Sequence, residues 1–169
     1  MKNDGAVGMR KTKWTLNEDG PDLQTILVAG VVGGLAEVLW VALYSTLTLV
    51  NAQEVARQVT ASIVPSAAEF SFAPALGIAI HLALSFLVAL VFALVVGVPF
   101  ARRYGLAGRL SLGLAALATV WAVNFFLILP VLNPAFITLM PYAATLVSKL
   151  LFGVAMVTAL GDARGRSHR

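Results

Sequence analysis

The sequence predicts an all-α integral membrane protein. The expected architecture is a four-helix bundle with both termini cytoplasmic and a short interfacial amphipathic helix between the first and second spans. Three observations lead there. Hydrophobic residues are 59% of the 169-residue chain and charged residues 12%, where a soluble domain carries about 25% charged residues. The apolar residues gather into four runs of about twenty or more, the number needed to cross a hydrocarbon core of about 30 Å at about 1.5 Å per residue. Ten of the twelve Lys and Arg residues flank those runs on one side.

Residues 1–23 form a polar tail, with Lys2, Arg10, Lys11 and Lys13 ahead of Glu18, Asp19 and Asp22. Trp14 and Leu16 are placed to touch the membrane surface. Pro21 followed by Asp22 is a helix start signal. The first span runs over about 24–49. Val50-Asn51-Ala52 has the shape of a signal-peptide cleavage site, but the apolar stretch before it is far longer than the usual 7–15 residues. A retained span is therefore expected.

The connection from Asn51 to Ala73 carries Val55, Val59 and Ile63 at four-residue spacing, with Glu54, Arg57 and Gln58 between them. This predicts a short amphipathic helix lying on the membrane surface and ended by Pro65. The second span covers about 74–98, with Pro74 at its start and Pro99 just past its end. Arg102, Arg103 and Arg109 fill the next connection. The third span covers about 110–129 and stops at Pro130. Asn133-Pro134 marks a turn. The fourth span covers about 139–160, with Pro141 in its first turn, and 161–169 is a basic tail. Short second and third connections predict antiparallel packing of successive spans. All seven prolines avoid the span middles, so no helix is expected to break in the membrane.

Charge sets the orientation. The N-tail holds four basic residues, the second connection three and the C-tail three (Arg164, Arg166 and Arg169). The first connection holds Arg57 alone and the third none, while Lys149 lies within a span. That bias puts both termini inside. The pI is about 9.9, yet the basic residues act as topogenic flanks and form no stripe interleaved with aromatics, so nucleic acid is not an expected partner. With no Cys, disulfides, thiolate metal sites and CxxCH haem attachment are excluded. No cofactor or metal is expected.

Each span carries one strongly polar residue: Glu37, His81, Asn124 and Lys149. A charge at the bilayer centre costs about 2.5–3.5 kcal/mol on insertion scales, so such residues seek partners inside the bundle. Glu37 and Lys149 fall at similar depth near midplane. Three readings follow: an ion pair that fixes helix register, an ion- or proton-handling group, or no contact at all, with Lys149 snorkelling and Glu37 uncharged. His81 and Ser85 share an i, i+4 ridge with Gly77. His81 reads as an interhelical contact, with proton relay, quinone contact or metal ligation as alternatives. Asn124 reads as an interhelical hydrogen-bond partner. Together Glu37, His81, Ser85, Asn124 and Lys149 make a candidate polar seam. Gly30, Gly33 and Gly34, which include a GxxxG pair, are candidate packing positions along with Gly77.

The segments Gly33-Gly-Leu-Ala-Glu37-Val-Leu-Trp40-Val-Ala-Leu-Tyr44, Ile80-His81-Leu-Ala-Leu-Ser85, Trp121-Ala-Val-Asn124-Phe-Phe and Pro141-Tyr-Ala-Ala-Thr-Leu-Val-Ser148-Lys149-Leu-Leu-Phe-Gly153 resemble a group of small four-span bacterial inner-membrane proteins. Some of these carry the label sodium:proline symporter. The resemblance covers most of 24–160 and implies an inner-membrane bundle without implying an activity. Sodium/solute symporters are several times longer, with unwound helices at the ion site, and four spans do not reproduce them.

Two functional classes follow. One is a non-enzymatic protein acting by helix association, as a homo-oligomer or an accessory subunit of a membrane complex, motivated by the small-residue ridges. The other is a small transporter or channel for protons, ions or a solute, with Glu37 as the central group and His81 near the outer mouth. A redox or quinone-linked subunit is the remotest reading.

Overall fold

The structure is a computed structural model that describes the backbone of residues 22–97 and 104–166, with side chains as far as 161. Most of the basic tail residues, along with Trp14, Pro99, Arg102 and Arg103, therefore lie outside the described residues. Among the described residues seven α-helices follow in order and no strand occurs. α1 is Leu23–Leu47, α2 Ala52–Ile63, α3 Ala73–Phe92, α4 Leu106–Val123, α5 Leu129–Leu132, α6 Pro134–Leu139 and α7 Tyr142–Arg166. Four stretches are long and apolar enough to cross a membrane: Leu23–Leu47, Ala73–Val96, Leu106–Leu132 and Tyr142–Gly161. The protein is an all-α, polytopic membrane four-helix bundle.

Local chemistry sets the helix ends. The Asp22 side chain accepts from the Thr25 amide at 2.7 Å and caps α1. Asn51 caps α2 by accepting from the amides of Gln53 at 2.8 Å and Glu54 at 3.3 Å. The V-x-A stretch is thus a helix start. Asn133 caps α6, ahead of Pro134 in its first turn. These caps answer donors that a helix leaves unpaired at its N-terminus.

The third span departs from expectation. Pro130 does not stop it. A π-turn over Asn124–Ile128 precedes α5, and the Leu129 amide donates to the Asn124 carbonyl five residues back. A proline inside a regular α-helix lacks one N–H and drives its ring into the carbonyl four residues earlier. The wider π-turn shifts that register, so the helix continues to Leu132. A second π-turn, Ala93–Gly97, follows directly on α3. α7, the helix of the fourth span, starts at Tyr142, so Pro141 precedes it rather than lying in its first turn, and it runs on to Arg166.

Lateral order also corrects the sequence reading. α1 packs on α3 and on α7, and α7 packs on α4. Although the second connection is short, α3 and α4 make no extended contact. They approach at the end of the bundle nearest the termini, where a Cβ at Gly113 would lie 3.8 Å from the Phe92 ring. That end is filled by Ile26, Ala89, Phe92, Leu117, Phe152 and Met156. The opposite end is a smaller cluster of Val55, Met140 and Ala144, with Val41, Tyr44 and Phe136 against it.

The small residues are used inside the chain. A Cβ on Gly30 would lie 2.7 Å from the Phe86 Cα, and one on Gly34 2.7 Å from the Ser85 Oγ. The GxxxG pair therefore seats α1 on α3, while Gly33 faces the Phe152 ring of α7. Gly77 lies so close to α2 that a Cβ would overlap the Ala56 carbonyl. Without water to drive apolar burial, such close backbone approach is how membrane helices gain packing energy. α2 is drawn onto α3 here. The Thr60 hydroxyl donates to the Ala73 carbonyl at 2.6 Å, and Val55 is buried. The apolar stripe of α2 thus turns toward its own bundle rather than outward along the membrane.

Candidate intramembrane site

Glu37 faces both neighbours of α1, and the close packing at Gly33 and Gly34 brings those neighbours within reach. It is 5% exposed. Its Oε2 accepts from Lys149 Nζ at 2.8 Å, and its Oε1 accepts from the Ser148 hydroxyl at 3.0 Å. His81 Nε2 lies 3.5 Å from Oε2 and 3.3 Å from the Gly34 carbonyl. Both neighbours of that nitrogen are acceptors, so Nε2 carries the hydrogen. The Gly34 carbonyl and the Glu37 carboxylate hold the ring between them.

Depth and helix face put Glu37, His81 and Lys149 together. Ser85 sits against Gly34, one turn along from His81, but its hydroxyl donates to the His81 carbonyl of its own helix at 2.7 Å. It does not join the carboxylate. Asn124 stands apart across the bundle, at the first position of the π-turn in the third span, with no side-chain hydrogen bond among the described residues. The five residues are therefore a compact triad with Ser85 behind it and Asn124 opposite, rather than one continuous chain of hydrogen bonds. No group of three or more His, Cys, Asp or Glu suited to hold a metal ion occurs among the described residues.

Sequence reasoning missed Ser148. It adjoins Lys149 and therefore points about 100° away around an ideal helix, yet both reach Glu37 because α1 lies in the sector between them. It also missed Thr145, which accepts from the Trp121 indole at 3.0 Å, and the Trp40 indole, which donates to the Ala144 carbonyl at 2.9 Å. These two bonds tie α7 to α4 and α1 just beyond the triad. The motif Thr145-x-x-Ser148-Lys149 was legible as a polar patch on one helix, though its partners were not.

The triad borders a cavity of about 420 Å³, within the range of roughly 300–1,000 Å³ common for small-molecule sites. The gap between α3 and α4 makes the space. α1 and α7 form its floor and α2 its roof. Glu37, His81, Asn124, Ser148 and Lys149 are its main polar lining, among apolar residues that include Val41, Leu84, Phe125 and Ile128. The packed cluster around Phe92 and Phe152 closes it toward the termini. Several lining residues are also exposed, among them Ile78, Leu84, Ile128 and Leu132. The cavity is thus an open cleft in the gap between the second and third spans.

The α2 roof is fastened at a point the sequence marked only as a turn. The Asn133 amide donates to the Gln58 carbonyl at 3.1 Å, the Gln58 Oε1 at 2.9 Å and the Ser62 hydroxyl at 3.1 Å. Arg57 donates to the Ala68 carbonyl at 2.7 Å and holds the loop beyond α2. No protein-family model, curated protein or solved structure matches the chain.

Proposed function

We propose that this polytopic membrane protein is a small transporter whose working site is the Glu37–His81–Lys149 triad, with Glu37 as the group that exchanges a proton or ion. One observation carries this reading: a buried carboxylate at midspan, paired with a lysine, faces a cavity large enough for a small molecule. A pair serving only as packing glue has no need of an adjoining cavity, and intramembrane ionisable residues commonly mark ion or substrate paths. The cavity is closed toward the termini by the packed cluster around Phe92 and Phe152, which favours a carrier over a channel open from end to end. The small residues that motivated a helix-association reading, Gly30, Gly34 and Gly77, are engaged by their own chain, which removes one of its supports. The charge bias supports cytoplasmic termini, and the resemblance to four-span proteins supports a bacterial inner membrane.

The test is proton movement into proteoliposomes holding a trapped pH-sensitive dye, under an imposed potential. The expected result is a dye response above that of protein-free liposomes, lost in Glu37→Gln while the variant still elutes as folded protein. A wild-type response equal to that of empty liposomes would count against the proposal. So would loss of folded protein in Glu37→Gln with flux per folded molecule unchanged.

A further inference from the structure

We infer that the cleft takes a neutral molecule dissolved in the bilayer, with an apolar body and a hydrogen-bond-accepting head such as a carbonyl, entering sideways between α3 and α4. The inference names the ligand class of the site proposed above and rests on that reading. Three features of the cleft argue for it.

The first is the mouth. Leu84 on α3 and Ile128 on the π-turn of the third span both line the cavity, one on each side of the gap between the two spans, and they are 44% and 42% exposed. A ligand that entered from water would need a passage past the α2 roof, which Asn133 and Gly77 hold down. The gap between α3 and α4 needs no such movement.

The second is charge. Glu37 and Lys149 form an ion pair at 2.8 Å that sums to zero. An anionic head meets the carboxylate and a cationic head meets the ammonium, each in a setting of low dielectric where like charges repel strongly. A neutral head avoids both penalties.

The third is the hydrogen-bond inventory. Each Glu37 oxygen already accepts a bond. Lys149 has three donors, and among the described residues one of them is used, on Glu37. The Asn124 amide, across the cleft, uses neither of its donors. Among the described residues, Lys149 and Asn124 thus leave donors unanswered on facing sides of the cavity, beside the Asn124 amide oxygen and His81 Nδ1 as acceptors, and an acceptor head placed between α7 and the π-turn answers those donors. Such π-turns recur at functional sites, and here the turn begins at Asn124.

The experiment uses the full chain in nanodiscs with four probes of equal tail length at equal mole fraction: 2-tridecanone, tridecane, tridecanoate and tridecylammonium. The readouts are the thermal unfolding midpoint and tryptophan fluorescence, since Trp121 packs beside Thr145 at the cleft. The expected result is that the ketone binds at least tenfold more tightly than tridecane, tridecanoate or tridecylammonium. Asn124→Leu should weaken ketone binding several-fold, and Leu84→Trp should slow its association. Lys149→Met should also weaken it, and the Asn124 and Leu84 variants keep the test intact if Lys149→Met does not fold. The proposal is overturned if the ketone binds no better than the alkane, if either charged probe binds best, or if Leu84→Trp leaves association unchanged. Proton flux without ketone preference sinks this inference and leaves the transporter reading standing. Ketone preference without proton flux does the reverse.

Discussion

Glu37 accepts both of its hydrogen bonds from α7, from Ser148 and Lys149, and lies 3.5 Å from His81 Nε2 of α3, which makes Lys149 its counter-charge as well as a neighbour. Removing one member of a buried ion pair leaves the other uncompensated, whereas replacing both with apolar residues is often neutral. Lys149→Met is therefore expected to destabilise the bundle by about 3 kcal/mol, measured by equilibrium unfolding in mixed micelles. Glu37→Met combined with Lys149→Met should recover most of that loss, and a double-mutant cycle reads the coupling directly. If the single and double variants lost equal stability, the pair would have no mutual role. The approach of Glu37 and Lys149 was legible in the sequence because both lie at the same depth, counted from ends marked by charge. The choice between pairing and snorkelling was not, since it depends on which faces of α1 and α7 meet. Ser148 was illegible for a related reason: a serine beside a lysine is an ordinary helical sequence until a carboxylate is known to sit between them.

At the scale of elements, the crossing of α2 and α3 at Gly77 is the tightest backbone approach near the cleft. Gly77→Ala is expected to lift α2 from α3, because the atom in the way is a backbone carbonyl and cannot swing aside. The readout is faster amide exchange through α2. Gly105→Ala serves as the control, since nothing lies within 4 Å of that Cβ position, and it should change nothing. Asn133→Ala removes three donated bonds to α2. Net hydrogen bonds contribute about 1 kcal/mol each, and because one amide shares these three, a loss of about 1–2 kcal/mol is expected, with exchange again concentrated in α2.

The first turn of α1 offers a pH test at the same scale. The Thr25 hydroxyl and then the Thr25 amide hold the Asp22 carboxyl below its ordinary value of 3.8. A carboxyl lowered in the folded state stabilises above its unfolded value, and that stabilisation fades as the pH falls through the folded value. The Thr25 amide resonance should thus titrate with a midpoint below the ordinary 3.8, and Asp22→Asn should keep the cap while abolishing that titration. A shift in Asp22→Asn at the same pH would assign the effect elsewhere.

Helix starts were legible where a short polar side chain caps the turn, as at Asp22. Pro130 misled because a proline is normally a stop signal, and the π-turn that absorbs it leaves no mark in composition. The amphipathic period of α2 was legible as well. Its docking on α3 was not, because a helix that lies on lipid and one that covers a bundle share the same stripe of valines.

Across the whole molecule, the four spans follow from length and hydropathy, and the all-α class follows from the need to satisfy every backbone polar group inside lipid. The cleft does not follow from either. It arises from lateral order: α1 and α7 sit side by side between α3 and α4, and the short second connection still leaves those two splayed. The positive-inside bias adds a sidedness that can be checked directly, since the chain has no Cys. Single cysteines at Ser62 and at Ser167 should label from opposite sides of the membrane, with Ser62 reached from outside. Labelling of both from one side would contradict the four-span topology.

The central claim is that the Glu37–Lys149 pair handles a ligand or ion and is more than packing glue. The most direct measurement is flux in proteoliposomes for Glu37→Met combined with Lys149→Met, alongside its unfolding curve. The expected result is a bundle close to wild type in stability and without proton flux. A double variant that retains wild-type flux would contradict it.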